Sequence, residues 1–177
     1  MVLDTFSTSN ATMTLADFTS AGLIIPHLRG KDAAGVMQEL SQAMQRERRV
    51  LDLLPFYQAA LNREFLMGSD WEAGTAFPHA RLPALKALSF ALGRSDEPLS
   101  WGRKAVRSVR LVFLIAVPAT DSTKYLSLIS GLARLAKDDR LVERLHAARD
   151  PFEVIEVLRR IELRTSPSSD LMQRAGA

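Results

Sequence analysis

Val109-Arg110-Leu111-Val112-Phe113-Leu114-Ile115-Ala116-Val117-Pro118 decides the fold. It is apolar at almost every position, with one interruption at Arg110, and it is rich in branched residues. A strand half-exposed to water alternates apolar and polar residues. An unbroken apolar strand is covered on both faces. Pro118 ends it, because proline brings no N–H to a ladder. A strand buried on both faces needs a layer on each side, so the chain is read as α/β, a three-layer α/β/α sandwich with a mixed β-sheet.

Working outward, residues 93–107 read as a polar, turn-rich connection, and Leu85, Leu88, Phe90 and Leu92 suggest a strand around 86–92. Before them stands Gly74-Thr75-Ala76-Phe77-Pro78-His79-Ala80-Arg81-Leu82, a short buried extended segment. Pro78 fixes its own φ and pushes Phe77 towards extended backbone, which holds His79 at the mouth of whatever the segment packs into. An imidazole suits nucleophilic or acid–base work near neutral pH. A lone histidine here would read as a half-buried strand end bonded to backbone.

Further upstream, Leu23-Ile24-Ile25-Pro26 predicts a short strand. Asp32 caps a helix with Ala33, Val36, Met37, Leu40 and Met44 inward. A second helix carries Leu54, Tyr57, Leu61 and Phe65 on its stripe, with Pro55 in the first turn. After Pro118 come three helices. Leu126, Ile129, Leu132 and Ala136 mark the first, Leu141 and Leu145 the second. The third opens on Asp150-Pro151 with Phe152, Ile155, Leu158 and Ile161 inward. Glu153 stands where a capping box places its acid. Residues 1–13 and 164–177 lack periodicity and read as flexible tails around a domain at 14–163.

The chain has 177 residues, enough for one domain, and 47% are hydrophobic. With 23 basic and 20 acidic residues, the net charge of +3 is too small and too dispersed to argue for nucleic acid. Having no cysteine, the chain has no disulfide, thiol nucleophile or thiolate metal site. His27, His79 and His146 lack metal-ligand spacing, so neither a metal nor a cofactor is expected. His27 reads as a surface turn and His146 as a structural or exposed residue. The start lacks a signal-peptide pattern and no apolar run spans a bilayer, so a cytoplasmic protein without direct membrane insertion is expected.

Arg63-Glu64, Gly74 and Ala76-Phe77-Pro78-His79-Ala80-Arg81 together resemble the fructose/mannitol class of enzyme IIA of the bacterial phosphoenolpyruvate-dependent sugar phosphotransferase system (PTS EIIA type-2). That class includes stand-alone nitrogen-regulatory members. Arg63 lies 16 positions before His79, as in the family, and Ser69 stands where the family usually has Thr. The Val109–Pro118 run and the spacing of Leu126, Ile129 and Leu132 also match, so the resemblance spans about residues 14–162. It implies a phosphotransferase component in which His79 accepts a phosphoryl group from HPr or an HPr-like protein. The group then passes to a IIB cysteine or serves as a signal. Arg63 has a permanent charge and a planar fork that suit a phosphoryl group; Arg81 reads instead as an exposed basic residue in a turn. The alternative is a regulatory module that binds a transporter, a kinase or another partner and is switched by His79 phosphorylation. The chain departs from the family at Tyr125, where a second histidine usually stands. A phenol offers a hydrogen bond there but no positive charge at neutral pH.

Overall fold

The computed structural model describes residues 12–68, 74–102 and 109–164. Residues 1–11 and 165–177 of the expected tails at 1–13 and 164–177, and part of the connection at 93–107, lie outside those residues. A single 3-10 turn at Leu15–Phe18 and another at Ala21–Leu23 lead into β1 (Ile24–Ile25), α1 (Ala33–Arg46) and α2 (Leu53–Met67). Four strands follow: β2 (Thr75–Ala76), β3 (His79–Leu82), β4 (Ser89–Leu99) and β5 (Val109–Pro118). Helices α3 (Ser122–Ala136), α4 (Asp139–Ala147) and α5 (Pro151–Leu158) complete the order.

β5 lies inside the sheet. It pairs antiparallel with β4 on one side and parallel with β2 and β3 on the other, while β1 runs parallel to β4. The sheet is therefore mixed. Alternate β5 residues enter different cores: Leu111, Phe113, Ile115 and Val117 pack with α3, α4 and α5, and Val112, Leu114 and Ala116 pack with α1 and α2. That is the three-layer sandwich the apolar run predicts, with every β5 residue buried except Arg110.

Local chemistry sets the helix starts. The Asp32 carboxylate accepts from Gly35 N–H at 2.8 Å, Asp138 accepts from Arg140 and Leu141, and Asp150 accepts from Glu153 N–H at 2.9 Å. Glu153 reaches one residue beyond the usual capping box, to the N–H of Arg149 at 2.8 Å. Arg94 ties the sheet to α4: its guanidinium donates to the carbonyls of Pro26, Leu145, His146 and Ala148.

Three helices turn inward faces that overlap only in part with those their periodicity predicts: Leu132, Ala136, Leu158 and Ile161 are buried as expected, and Tyr57, Leu61, Ile129 and Ile155 are partly buried against the core. In α2, Phe56, Ala60 and Glu64 are buried, whereas Leu54 and Phe65 are exposed. The rotation follows from Glu64, whose carboxylate accepts the indole N–H of buried Trp101 at 2.8 Å. In α3, Leu128, Leu132 and Leu135 face the core and Leu126 is 67% exposed. The cause is Gly131, where an added Cβ would lie 2.5 Å from Leu163 and 2.9 Å from Leu15. Those residues belong to two segments near the chain ends, joined by Leu15 N–H to Ile161 O and Leu163 N–H to Met13 O, and they pack against the glycine. In α5, Val154, Val157 and Leu158 are inside and Phe152 is 70% exposed.

The second correction concerns residues 93–107. β4 continues through Leu99, with a register shift between Arg94 and Leu99. β1 pairs with β4 only as far as Gly93, so Asp96, Glu97 and Pro98 beyond it face solvent and look like a loop in the sequence. Phe113 is fully buried between Phe77 and Phe90, with ring centroids at 5.4 and 5.8 Å. Phe113→Ala is expected to cost about 3–5 kcal/mol in denaturant unfolding. Phe152→Ser is expected to change stability by no more than about 0.5 kcal/mol. A large loss from Phe152→Ser would place α5 with the face predicted from periodicity.

Candidate functional site

The site is built on an interrupted edge strand. Gly74 has φ 67, a left-handed conformation that side chains resist, and it turns the chain into β2. Thr75 pairs with Leu111 and Ala76 with Val112. After Phe77-Pro78 the pairing resumes with His79 against Ile115, in the same register. The Ile115 N–H donates to the Pro78 carbonyl at 2.9 Å, so the ladder continues through the interruption. Ala76 and Ala80 enter the α1–α2 core, Phe77 packs on Phe113 on the other side, and the half-buried His79 follows Phe77 by two residues.

His79 Nδ1 lies 3.3 Å from the Phe77 carbonyl oxygen. That oxygen only accepts, so the bond requires the hydrogen on Nδ1 and leaves the lone pair on Nε2. The His79 pKa is lowered from 6.5, chiefly by burial, then by the positive charge of Arg63 and to a smaller extent by Arg81; the bond to Phe77 opposes these effects. The neutral ring, a nucleophile, is favoured near neutral pH.

The two helix layers meet at this edge. Arg63 comes from the exposed face of α2, turned outward by the buried neighbour Glu64. Tyr125 comes from the first turn of α3, its ring centroid 5.5 Å from that of His79 and tilted by 43°. Its pKa is raised, mainly by burial, with Arg63 and Arg81 pulling the other way, so the phenol is neutral at neutral pH. The structure therefore brings His79 beside Tyr125 and within the field of Arg63. Ser69 lies outside the described residues.

The arrangement of Arg81 is not legible in the sequence. It lies in β3, not in a turn, and its Nη1 donates to Ala119 O at 3.4 Å and Ser122 Oγ at 3.2 Å. Its Cζ sits 5.5 Å from the centroid of the Tyr125 ring. The other histidines stand apart from this cluster: His27 pairs with Asp96 at 2.8 Å on the surface, and His146 is half-buried with Nδ1 lacking a hydrogen-bond partner.

The protein is thus an α/β/α sandwich domain that sets a histidine on an edge strand beside the start of α3 and within the field of an arginine of α2. The family model for the phosphoenolpyruvate-dependent sugar phosphotransferase system, EIIA 2, matches residues 17–161, and the chain belongs to that family. It is 29% identical over 151 residues to a nitrogen regulatory protein of Bradyrhizobium diazoefficiens, covering 82% of this chain and 95% of that one. It is 26% identical over 148 residues to the 2-O-alpha-mannosyl-D-glycerate-specific EIIABC component of Escherichia coli, covering 82% of this chain and 22% of that larger protein. The fold is similar to the nitrogen regulatory protein IIA-Ntr of Neisseria meningitidis, with a TM-score of 0.75 at 22% identity over 81% of this chain and 98% of the other. It also resembles enzyme IIAMTL of Escherichia coli, solved in complex with phosphorylated enzyme IIBMTL, with a TM-score of 0.68 at 20% identity over 78% and 95%.

Titration of the histidine ring protons by NMR is expected to place the His79 midpoint below 6.5, and Arg63→Gln to raise it. His146 is also depressed, by burial and then by Arg110 and Arg94. For both groups the folded pKa lies below the unfolded one, so their contribution to stability is complete above the unfolded value. It is lost as pH falls through about 6.5 towards the folded midpoints. Melting temperature is expected to drop over that window, and less steeply in His146→Leu. A His79 midpoint above 6.5 would contradict the burial and charge assigned to the site.

Proposed function

We propose that this protein is a cytoplasmic histidine phosphocarrier that accepts a phosphoryl group on His79 Nε2 from HPr or an HPr-like protein. The observation that carries this reading is the tautomer imposed by the Phe77 carbonyl beside a permanent positive charge. The Nε2 lone pair attacks phosphorus in line, a new N–P bond forms, and the donor's N–P bond breaks with its electron pair returning to the donor imidazole. The His79 ring gains positive character as the bond forms, and its Nδ1–H donates more strongly to the Phe77 carbonyl. Arg63 supplies charge to the phosphoryl oxygens. In onward transfer a thiolate on a IIB domain takes the group and the electron pair returns to Nε2. Phe65, Leu66 and Met67, just past Arg63, and Leu126, just past Tyr125, are exposed apolar residues that suit docking of a protein partner.

A second reading, a regulatory module switched by His79 phosphorylation and acting on a transporter or kinase, is favoured by Tyr125. A phenol at this position offers the phosphoryl group a neutral hydrogen bond and no second titratable imidazole, which suits a site that reports its state. The relatives named nitrogen regulatory protein support the same reading.

Incubation with enzyme I, HPr and labelled phosphoenolpyruvate is expected to give acid-labile label that His79→Ala abolishes; label surviving in that variant would move the acceptor elsewhere. Tyr125→His is expected to take up label faster or hold it longer, by up to about tenfold, since hydrogen bonds to charged groups exceed neutral ones by roughly 1 kcal/mol or more. Equal rates and lifetimes would show that position 125 is silent. Adding a IIB domain separates the two readings: loss of label to its cysteine supports transfer, and retention supports signalling.

A further inference from the structure

We propose that Arg81 is a positioning residue for the His79 site: held by the start of α3, its guanidinium fixes the Tyr125 ring against His79 and supplies the permanent positive charge that tyrosine lacks. The proposal rests on the reading of His79 as phosphoryl acceptor and goes beyond it by assigning the missing charge to a named residue.

The geometry forms a chain of contacts. Arg81 is two residues beyond His79 in β3, so the two side chains leave the same side of the strand. Arg81 Nη1 reaches Ala119 O and Ser122 Oγ, in the turn and first residue of the segment that carries Tyr125. These bonds hold the strand and the helix start together. With its fork so held, the guanidinium lies 5.5 Å from the Tyr125 ring centroid, within the range of a cation–π contact. Tyr125 also meets the His79 ring, at 5.5 Å between centroids. One ring thus contacts both a cation and the acceptor histidine, and its orientation depends on the cation.

The charge reaches the histidine as well. Among the described residues, Tyr125 of α3 meets the His79 ring, and the charges that act on its titration are Arg63 on α2 and Arg81 on β3, both favouring the neutral ring, with Arg63 the stronger. A second histidine would carry positive charge only when protonated. A guanidinium keeps its charge at every physiological pH. The site therefore exchanges a titratable cation for a permanent one, and its phosphoryl affinity depends less on pH on that account.

The test uses the full chain and three variants, Arg81→Met, Arg81→Lys and Ser122→Ala. His79 titration and the proton–proton contacts between the His79 and Tyr125 rings are read by NMR with no phosphoryl donor present. Labelling by enzyme I, HPr and phosphoenolpyruvate is read separately. Arg81→Met is expected to raise the His79 midpoint, weaken the ring contacts and slow labelling by about three- to tenfold at neutral pH. Arg81→Lys is expected to return the midpoint towards the parent value without restoring the ring contacts, because an ammonium has no plane to lay over the ring. Ser122→Ala keeps the charge and loosens the hold, so the contacts weaken while the midpoint stays. If Arg81→Met fails to fold, the other two variants carry the test. An unchanged midpoint and unchanged ring contacts in Arg81→Met, or full ring contacts in both Arg81→Lys and Ser122→Ala, would overturn the proposal. Failure of the parent protein to take up label, with the NMR shifts as stated, would overturn the phosphocarrier reading and leave the positioning by Arg81 intact.

Discussion

The hydrogen bond from the Ile115 amide to the Pro78 carbonyl, at 2.9 Å, is the constraint on which the site depends. Proline at an edge strand offers no N–H, and Phe77-Pro78 interrupts the pairing of the segment. That one bond carries the ladder across the gap, so His79 resumes opposite Ile115 in the register Thr75 and Ala76 began. A slip of one residue would turn His79 into the α1–α2 core and Ala80 out towards α3. The same interruption presents the Phe77 carbonyl to the imidazole. The strand therefore fixes both the position of the ring and the nitrogen that keeps its lone pair.

From that edge the two helix layers contribute unlike groups. α2 lies on one face of the sheet and sends Arg63 across, its last turns oriented by the buried bond between Glu64 and Trp101. α3 lies on the other face and sends Tyr125, oriented at its first turn by Arg81 through Ala119 and Ser122. Neither layer alone forms the site, which ties its chemistry to the integrity of the sandwich. Membership of the EIIA 2 family gives this arrangement its setting, and Tyr125 with Arg81 sets the local electrostatics beside His79.

How much was legible in the sequence varies with how local the cause is. The sandwich followed from Val109–Pro118, because burial on both faces leaves a mark at every residue. Pro78 and the histidine after it were legible because proline acts on its own neighbours. The inward faces of α2 and α3 are legible only in part: Leu132 and Ala136 are buried as their spacing predicts, but each helix contains competing apolar stripes and the choice between them is made far away. Glu64 turns inward for Trp101, and Gly131 is buried because Leu15 and Leu163 need its space. The outer half of β4 reads as a connection in the sequence because β1 stops at Gly93 and leaves Asp96, Glu97 and Pro98 to water. Arg81 was invisible for the same reason as Glu64: its partners lie about 40 residues away across the sheet edge, and nothing in a Pro-His-Ala-Arg string points to them.

The central claim is that backbone geometry reserves His79 Nε2 for phosphate. Protein labelled with nitrogen-15 in its histidines, phosphorylated and examined by nitrogen–phosphorus NMR coupling, tests it most directly. The account predicts one phosphorylated ring, that of His79, with phosphorus coupled to Nε2 and hydrogen retained on Nδ1. Phosphorus bonded to Nδ1 of His79, or carried on His27 or His146, would contradict it.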